Sequence, residues 1–244
     1  MSIKTGVKYN LSNMKKSIMV IYAIMLGMIL VVDVVGRIAF GNASGRTSYD
    51  STFWIMFFVV GIATYVPNLK MFLQNGVSRK TYFVCTCIEF VIASMSVALI
   101  DSVIGMLGRT DVYRIETFFG GTYGARIENT VFFLIMNILF NFVVNLLCAA
   151  GGLFVGTAFY KMGKKLGLFI GILLFILCFI VFPLADINLF SGAMTMNIGK
   201  FLLFITGVTN GFNPVYPVVS FLIISGISLA LSYLLIRRIN IRET

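Results

Sequence analysis

Long apolar stretches alternate with short polar ones along the whole chain. They predict six helical spans, at about 17–38, 51–73, 83–107, 130–160, 166–185 and 217–236. The second reaches 73 only by continuing through Pro67, which would kink its end. Ahead of the first, Val7, Leu11, Met14 and Ile18 recur at helical spacing among Lys4, Lys8, Lys15 and Lys16. That pattern predicts an amphipathic N-terminal interfacial helix over about 1–16, with a plain basic flank as the other reading. The first apolar run exceeds the roughly 7–15 residues of a signal-peptide core, so no cleavage is expected at Ala43-Ser44-Gly45. Asp33 and Arg37 share a helix face near the end of that run, where they pair or reach for the interface.

Two segments break the alternation. After span 2 comes Pro67 to Tyr82, whose Lys70, Arg79 and Lys80 are interleaved with Met71, Phe72, Leu73 and Val77. A basic loop with an apolar stripe is suited to lie on lipid headgroups or on another protein. Between spans 5 and 6, Phe201-Leu202-Leu203-Phe204-Ile205 is too short to cross a bilayer. It predicts a re-entrant hairpin or interfacial helix, followed by a turn at Asn210-Gly211 and Pro214.

Composition fixes the solvent. The 244 residues are 59% hydrophobic and 11% charged, with a mean hydropathy of +0.98. A water-soluble domain of that size could not hide so much apolar surface, so the chain is expected to be one all-α integral membrane domain over 1–244. Thirteen of the nineteen Lys and Arg fall on one side of the six spans, with both termini. By the positive-inside rule that side is cytoplasmic. The net charge of +10 is spread in short clusters between apolar runs, without the basic face that nucleic acid requires.

Candidate chemistry is sparse. The chain has no histidine, which removes the commonest metal ligand and general base. Cys85, Cys87, Cys148 and Cys178 lie in apolar runs and read as small buried hydrophobes; no metal site is expected. The nearest approach to a phosphate-binding loop is Gly163-Lys164-Lys165, with Ala158 in place of the first glycine and Lys165 in place of Ser or Thr. No catalytic residue is expected, and no cofactor in this chain.

Polar residues inside the spans remain. Glu89 and Asp101 are twelve apart on span 3, about 18 Å along the axis, too far for a dyad. Each is a pathway residue or a structural hydrogen-bonding group. Asn137, Asn141 and Asn145 repeat every four residues on span 4, as helix–helix glue or as the polar lining of a pathway. Gly152/Gly156 and Gly163/Gly167/Gly171 have the spacing of close helix contacts.

Leu73-Gln74-Asn75-Gly76-Val77-Ser78-Arg79-Lys80-Thr81-Tyr82-Phe83 resembles the Gly-[Val/Ile]-Ser-Arg-x-x-[Tyr/Phe] stretch of small bacterial ABC-2-type permeases. The predicted layout, with its basic N-terminus, six spans and outer hairpin, resembles them too. The resemblance implies an exporter subunit in a bacterial cell membrane, moving an amphipathic or hydrophobic cargo, with peptide as one class. It implies a separate ATP-binding subunit, two copies per complex, that holds ATP and Mg. It implies a second permease, as a homo- or heterodimer. Phe72, Asn75, Gly76, Val77, Ser78 and Arg79 would meet the ATPase, and Phe201 and Phe204 would belong to an extracellular gate. The alternatives are an ion-coupled secondary transporter, with Glu89 and Asp101 as relays, and a membrane sensor or scaffold that transports nothing.

Overall fold

The apolar stretches fold as helices. The structure is a computed structural model that describes residues 3–40, 45–47, 50–107, 113–115, 117–163, isolated positions between 166 and 177, and 193–238. Helix α1 spans Ile3–Phe40, α2 Asp50–Gln74, α3 Arg79–Leu107, α4 Phe118–Tyr123, α5 Thr130–Met162, α6 Ala193–Ile205 and α7 Val215–Arg237. Among the described residues the strands are confined to one short parallel pair, β1 (Gly45–Thr47) on β2 (Tyr113–Ile115). Helices α2, α3, α5 and α7 are long and apolar enough to cross a membrane. Their outer faces match, with Val91, Met95, Leu99 and Val103 of α3 and Ile223, Ile227, Leu231 and Leu234 of α7 all exposed. The predicted fifth span, 166–185, lies largely outside the described residues, as do the chain ends and the side chains of Asp33 and Arg37.

Helix α5 is the axis of the bundle and packs on α2, α3, α4 and α7. It approaches α2 backbone to backbone. A Cβ on Gly61 would fall 2.5 Å from the Ala149 carbonyl, and one on Gly156 3.1 Å from the Ile62 Cα. Glycine is required because the helix axes meet where any side chain would stand. Phe58 lies against Gly152 and Ile62 against Gly156, so α2 and α5 run parallel. A four-residue corner returns the chain from α2 into α3, and α3 therefore runs antiparallel to both.

Helix α1 corrects the first expectation. The predicted surface helix and first span are one unbroken 38-residue helix, about 57 Å long. Its beginning is buried by protein: Gly6, Asn10 and Met14 are inside, in line with the half-buried Ile18 and Tyr22. A Cβ at Gly6 would lie 2.9 Å from Phe72 and 3.0 Å from Cys85. The helix is thus seated on α2 and α3 by its small residue.

Two apolar clusters result. The larger joins α1, α2, α3 and α5 around Phe53, Phe57, Phe72, Phe90 and Leu153. The smaller, Phe119, Tyr123, Phe140 and Val144, lies beneath α4 at the opposite end of the bundle from the corner. These ends are called here the corner end and the cap end. At the cap end Trp54 meets Phe118 edge-on at 5.3 Å, and Arg126 lies 3.8 Å above the Phe212 ring. The Tyr123 hydroxyl donates to the Thr206 carbonyl. That ties α4 to the turn between α6 and α7, and burial pushes the phenol pKa up.

Candidate functional site

Three places could carry function: the corner, the polar interior and the hairpin of α6 and α7. The corner is a complete helix stop followed by a helix start. Val77 N–H donates to Phe72 O and Gly76 N–H to Leu73 O, both at 3.0 Å, and Gly76 has φ +70°. This is a Schellman motif, in which glycine supplies the left-handed residue and an apolar contact joins the residues at its two ends. Those residues are Phe72 and Val77. Phe72 is 0% exposed and Val77 6%, both in the larger core. Ser78 then caps α3, its Oγ accepting from Thr81 N–H at 3.2 Å. Tyr82 turns inward and donates to the Tyr65 carbonyl at 3.3 Å.

The expectation for this stretch is corrected in part. Residues 67–74 continue α2 through Pro67, as the predicted span to 73 required, so Met71, Phe72 and Leu73 are helical and Val77 of the stripe lies in the corner. Phe72 and Val77 face the protein's own core, because the motif that ends α2 puts them there. What the corner offers to solvent is Gln74, Asn75, Gly76, Ser78 and Lys80, with Arg79 half-buried. Arg79 donates to the Arg237 carbonyl at 3.0 Å, clamping the start of α3 to the end of α7.

The polar interior gathers residues from five helices. At the cap end, the Thr117 hydroxyl accepts from Gly120 N–H and donates to Asn137 Oδ1 at 2.7 Å. Asn137 Nδ2 donates to Ser102 Oγ at 3.1 Å, and Asn141 Nδ2 to Asn137 Oδ1 at 3.3 Å. Asp50, the first residue of α2, accepts from Phe118 N–H at 2.9 Å and so holds the start of α4. The Asn141 side chain approaches the same carboxyl, which is also within electrostatic reach of Asp101. The Tyr22 hydroxyl donates to Asp101 Oδ1 at 2.8 Å. Nearer the corner end, Asn10 of α1 lies beside Glu89.

The registers of the helices organise these groups. Gly6 meets Cys85, Asn10 meets Glu89 and Tyr22 meets Asp101, a constant offset along two parallel helices. The two acids twelve apart on α3 are thus met by two polar residues twelve apart on α1. Asn145, at the foot of the ladder, bonds to neither of the other two: both its amide atoms are buried without a protein partner.

The three asparagines of the ladder and both acids singled out from the sequence are buried, and all belong to this interior. Asn10, Tyr22, Asp50, Ser94, Ser102 and Thr117 belong to it as well and were not anticipated. The equal spacing of Asn10/Tyr22 and Glu89/Asp101 was the available signal. Among the described residues no group of three or more His, Cys, Asp or Glu could hold a metal ion, and Cys85, Cys87 and Cys148 form no disulfide.

The hairpin is the third place. Helix α6 has 13 residues and is exposed along most of its length, with Phe201 61% and Phe204 51% exposed and the polar Thr195, Asn197 and Lys200 in its first two-thirds. The turn after it is tightly built. Gly207, at φ +69°, has the Asn213 carbonyl 2.5 Å from where a Cβ would sit. Asn213 Oδ1 accepts from Val215 N–H and starts α7. No protein-family model, curated protein or solved structure matches the chain.

Proposed function

We propose that this chain is the membrane-spanning subunit of an ATP-driven exporter of the ABC-2 type. In this reading the corner end is cytoplasmic and the chain crosses the membrane six times. Two such subunits, identical or sister, enclose one pathway, with two copies of a separate ATP-binding subunit beneath. The corner carries the proposal. It is a rigid, basic, solvent-facing projection between two spanning helices, clamped through Arg79 to a third. A force on it would move α2, α3 and α7 together. The docking surface is Gln74, Asn75, Gly76, Ser78 and Lys80, with Phe72 and Val77 supporting it from behind. Helix α6, with Phe201 and Phe204, lies at the outer mouth as the gate. The apolar exterior suits an amphipathic or hydrophobic cargo entering from lipid, with peptide as one candidate class. ATP and Mg bind the partner, and the location is a bacterial cell membrane.

A mild-detergent pull-down of tagged protein, with mass spectrometry of the eluate, tests this. The expected result is a stoichiometric ATPase, and a second permease if the dimer is heteromeric. Gln74→Trp, on the exposed tip, should abolish ATPase recovery and leave the subunit's own thermal unfolding unchanged. An eluate that contains this chain alone overturns the proposal.

A further inference from the structure

The buried side of α3 carries Glu89, Ser94, Asp101 and Ser102 in succession from the corner end toward the cap end. Across from them stand Asn10 and Tyr22 on α1, Asp50 on α2, and the asparagine ladder on α5. Helix α5 is antiparallel to α3, and Asn137 bonds to Ser102. The same register, eight residues further along α5 and eight back along α3, brings Asn145 to the level of Ser94. From Glu89 to Ser102 this polar file covers about 20 Å of helix axis, some two-thirds of a hydrocarbon core about 30 Å thick.

The file is under-satisfied. Both amide atoms of Asn10, Ser94 Oγ, both amide atoms of Asn145, Asn141 Oδ1 and Asp50 Oδ1 are buried without a hydrogen bond of normal geometry, although Asn10 still acts on Glu89 and Asn141 on Asp50 at longer range. A bare buried polar atom costs about 1–3 kcal/mol, so seven would rival the whole stability of a domain, about 5–15 kcal/mol. Sites rich in polar atoms are filled by ordered water. Beyond Glu89, toward the corner end, the Thr86 hydroxyl donates to the Tyr82 carbonyl. The Tyr82 ring then packs on Tyr65 at 6.3 Å and on Phe72 at 5.4 Å. At the cap end the file meets Asp50 and Thr117 beneath the one short helix α4.

We infer that this file is a water-filled proton path, and that Glu89 at its corner end binds and releases a proton that travels along it. A hydronium in the file gives its proton to the Glu89 carboxylate, leaving a neutral acid and a water; release is the reverse. Protons fit this lining better than metal ions. Asn145 presents an amide N–H₂ donor as well as an acceptor, so it can bond to the oxygen of one water and the hydrogen of another, whereas a metal ion would find a single amide oxygen there. An ionisable group inside a membrane protein is a natural proton relay. The titratable groups in electrostatic contact with Glu89 are Cys85 and Tyr82 of its own helix. Helix α1 presents the neutral Asn10, and among the described residues no charged side chain of α2 or α5 acts on it. The inference stands without the exporter reading, since it needs only the bundle itself.

The test is difference infrared spectroscopy on the protein in liposomes while the bath is acidified. A carboxylic acid C=O band should grow in, to which Asp50 and Asp101 of the same file can add, and Glu89→Gln should remove one component of it. After transfer to heavy water, Ser94→Ala and Asn145→Leu should keep the band but slow its isotope exchange by about tenfold. Ser94→Ala removes one unpartnered hydroxyl and little volume, so it reports even if Asn145→Leu does not fold. No band, or a band that Glu89→Gln leaves undiminished, overturns the site. A Glu89 band that exchanges at the parent rate in Ser94→Ala overturns the path.

Discussion

The corner between α2 and α3 and the polar file between α1, α3 and α5 share a helix but treat their polar groups in opposite ways. At the corner the helix ends are closed by bonds along the chain: Gly76 and Val77 donate to α2 carbonyls, and Ser78 caps α3. In the file, polar atoms from distant parts of the sequence converge and seven remain without a hydrogen bond of normal geometry. The backbone closure of the corner is explained by folding alone. The file is not, since an apolar interior would fold at least as well. Residues whose presence folding leaves unexplained are the better guide to function.

The sharpest way to break the comparison is to attack the corner from inside. Phe72→Ala should cost about 3–5 kcal/mol, seen as early thermal unfolding in detergent. An unfolding curve like the parent's would mean that Phe72 is not core, and would return it to the docking face. Gly76→Val comes next. A β-branched residue held at positive φ should lose at least 1–2 kcal/mol, by the same measurement.

The third prediction sets the two regions against each other by sign. Ser78→Ala should destabilise by about 1 kcal/mol, the usual effect of losing a cap. Asn145→Leu should leave stability unchanged or raise it by about 1 kcal/mol, because it removes unpartnered groups. If both substitutions destabilise equally, the file is as structural as the corner. The smallest effect belongs to the cap. Tyr123→Phe removes the bond to Thr206 and should cost about 0.5–1.5 kcal/mol. The phenol pKa is raised by burial above its ordinary value of 10.0. Its contribution is therefore complete below that value and lost as pH rises through the folded one. Unfolding measured into strong alkali should show a decline for the parent that is smaller in Tyr123→Phe.

Much of the bundle was legible in the sequence. The apolar runs locate α2, α3, α5 and α7 to within a few residues, because lipid demands length and apolarity of a helix whatever it packs against. Gly152 and Gly156 were legible as a close approach, since small residues four apart have few other uses in such a helix. The asparagine ladder was legible as a polar face, but what it faced was not. Tertiary register decided that, and register between α1 and α3 depends on Gly6 seating against Phe72 and Cys85. Misreading Phe72 and Val77 has a local cause. Apolar residues just past a proline look like an exposed loop, and they change meaning once α2 continues through Pro67. The Gly-Val-Ser-Arg stretch that carries the family resemblance is also what a helix needs to stop, turn and start again.

Trp54 is the single tryptophan of the chain, and its ring rests against Phe118, whose amide is held by Asp50. The intrinsic fluorescence of the whole protein is thus a native optical probe of one joint. Opening of the cap can be followed in real time, without any label, by exciting the molecule as it stands.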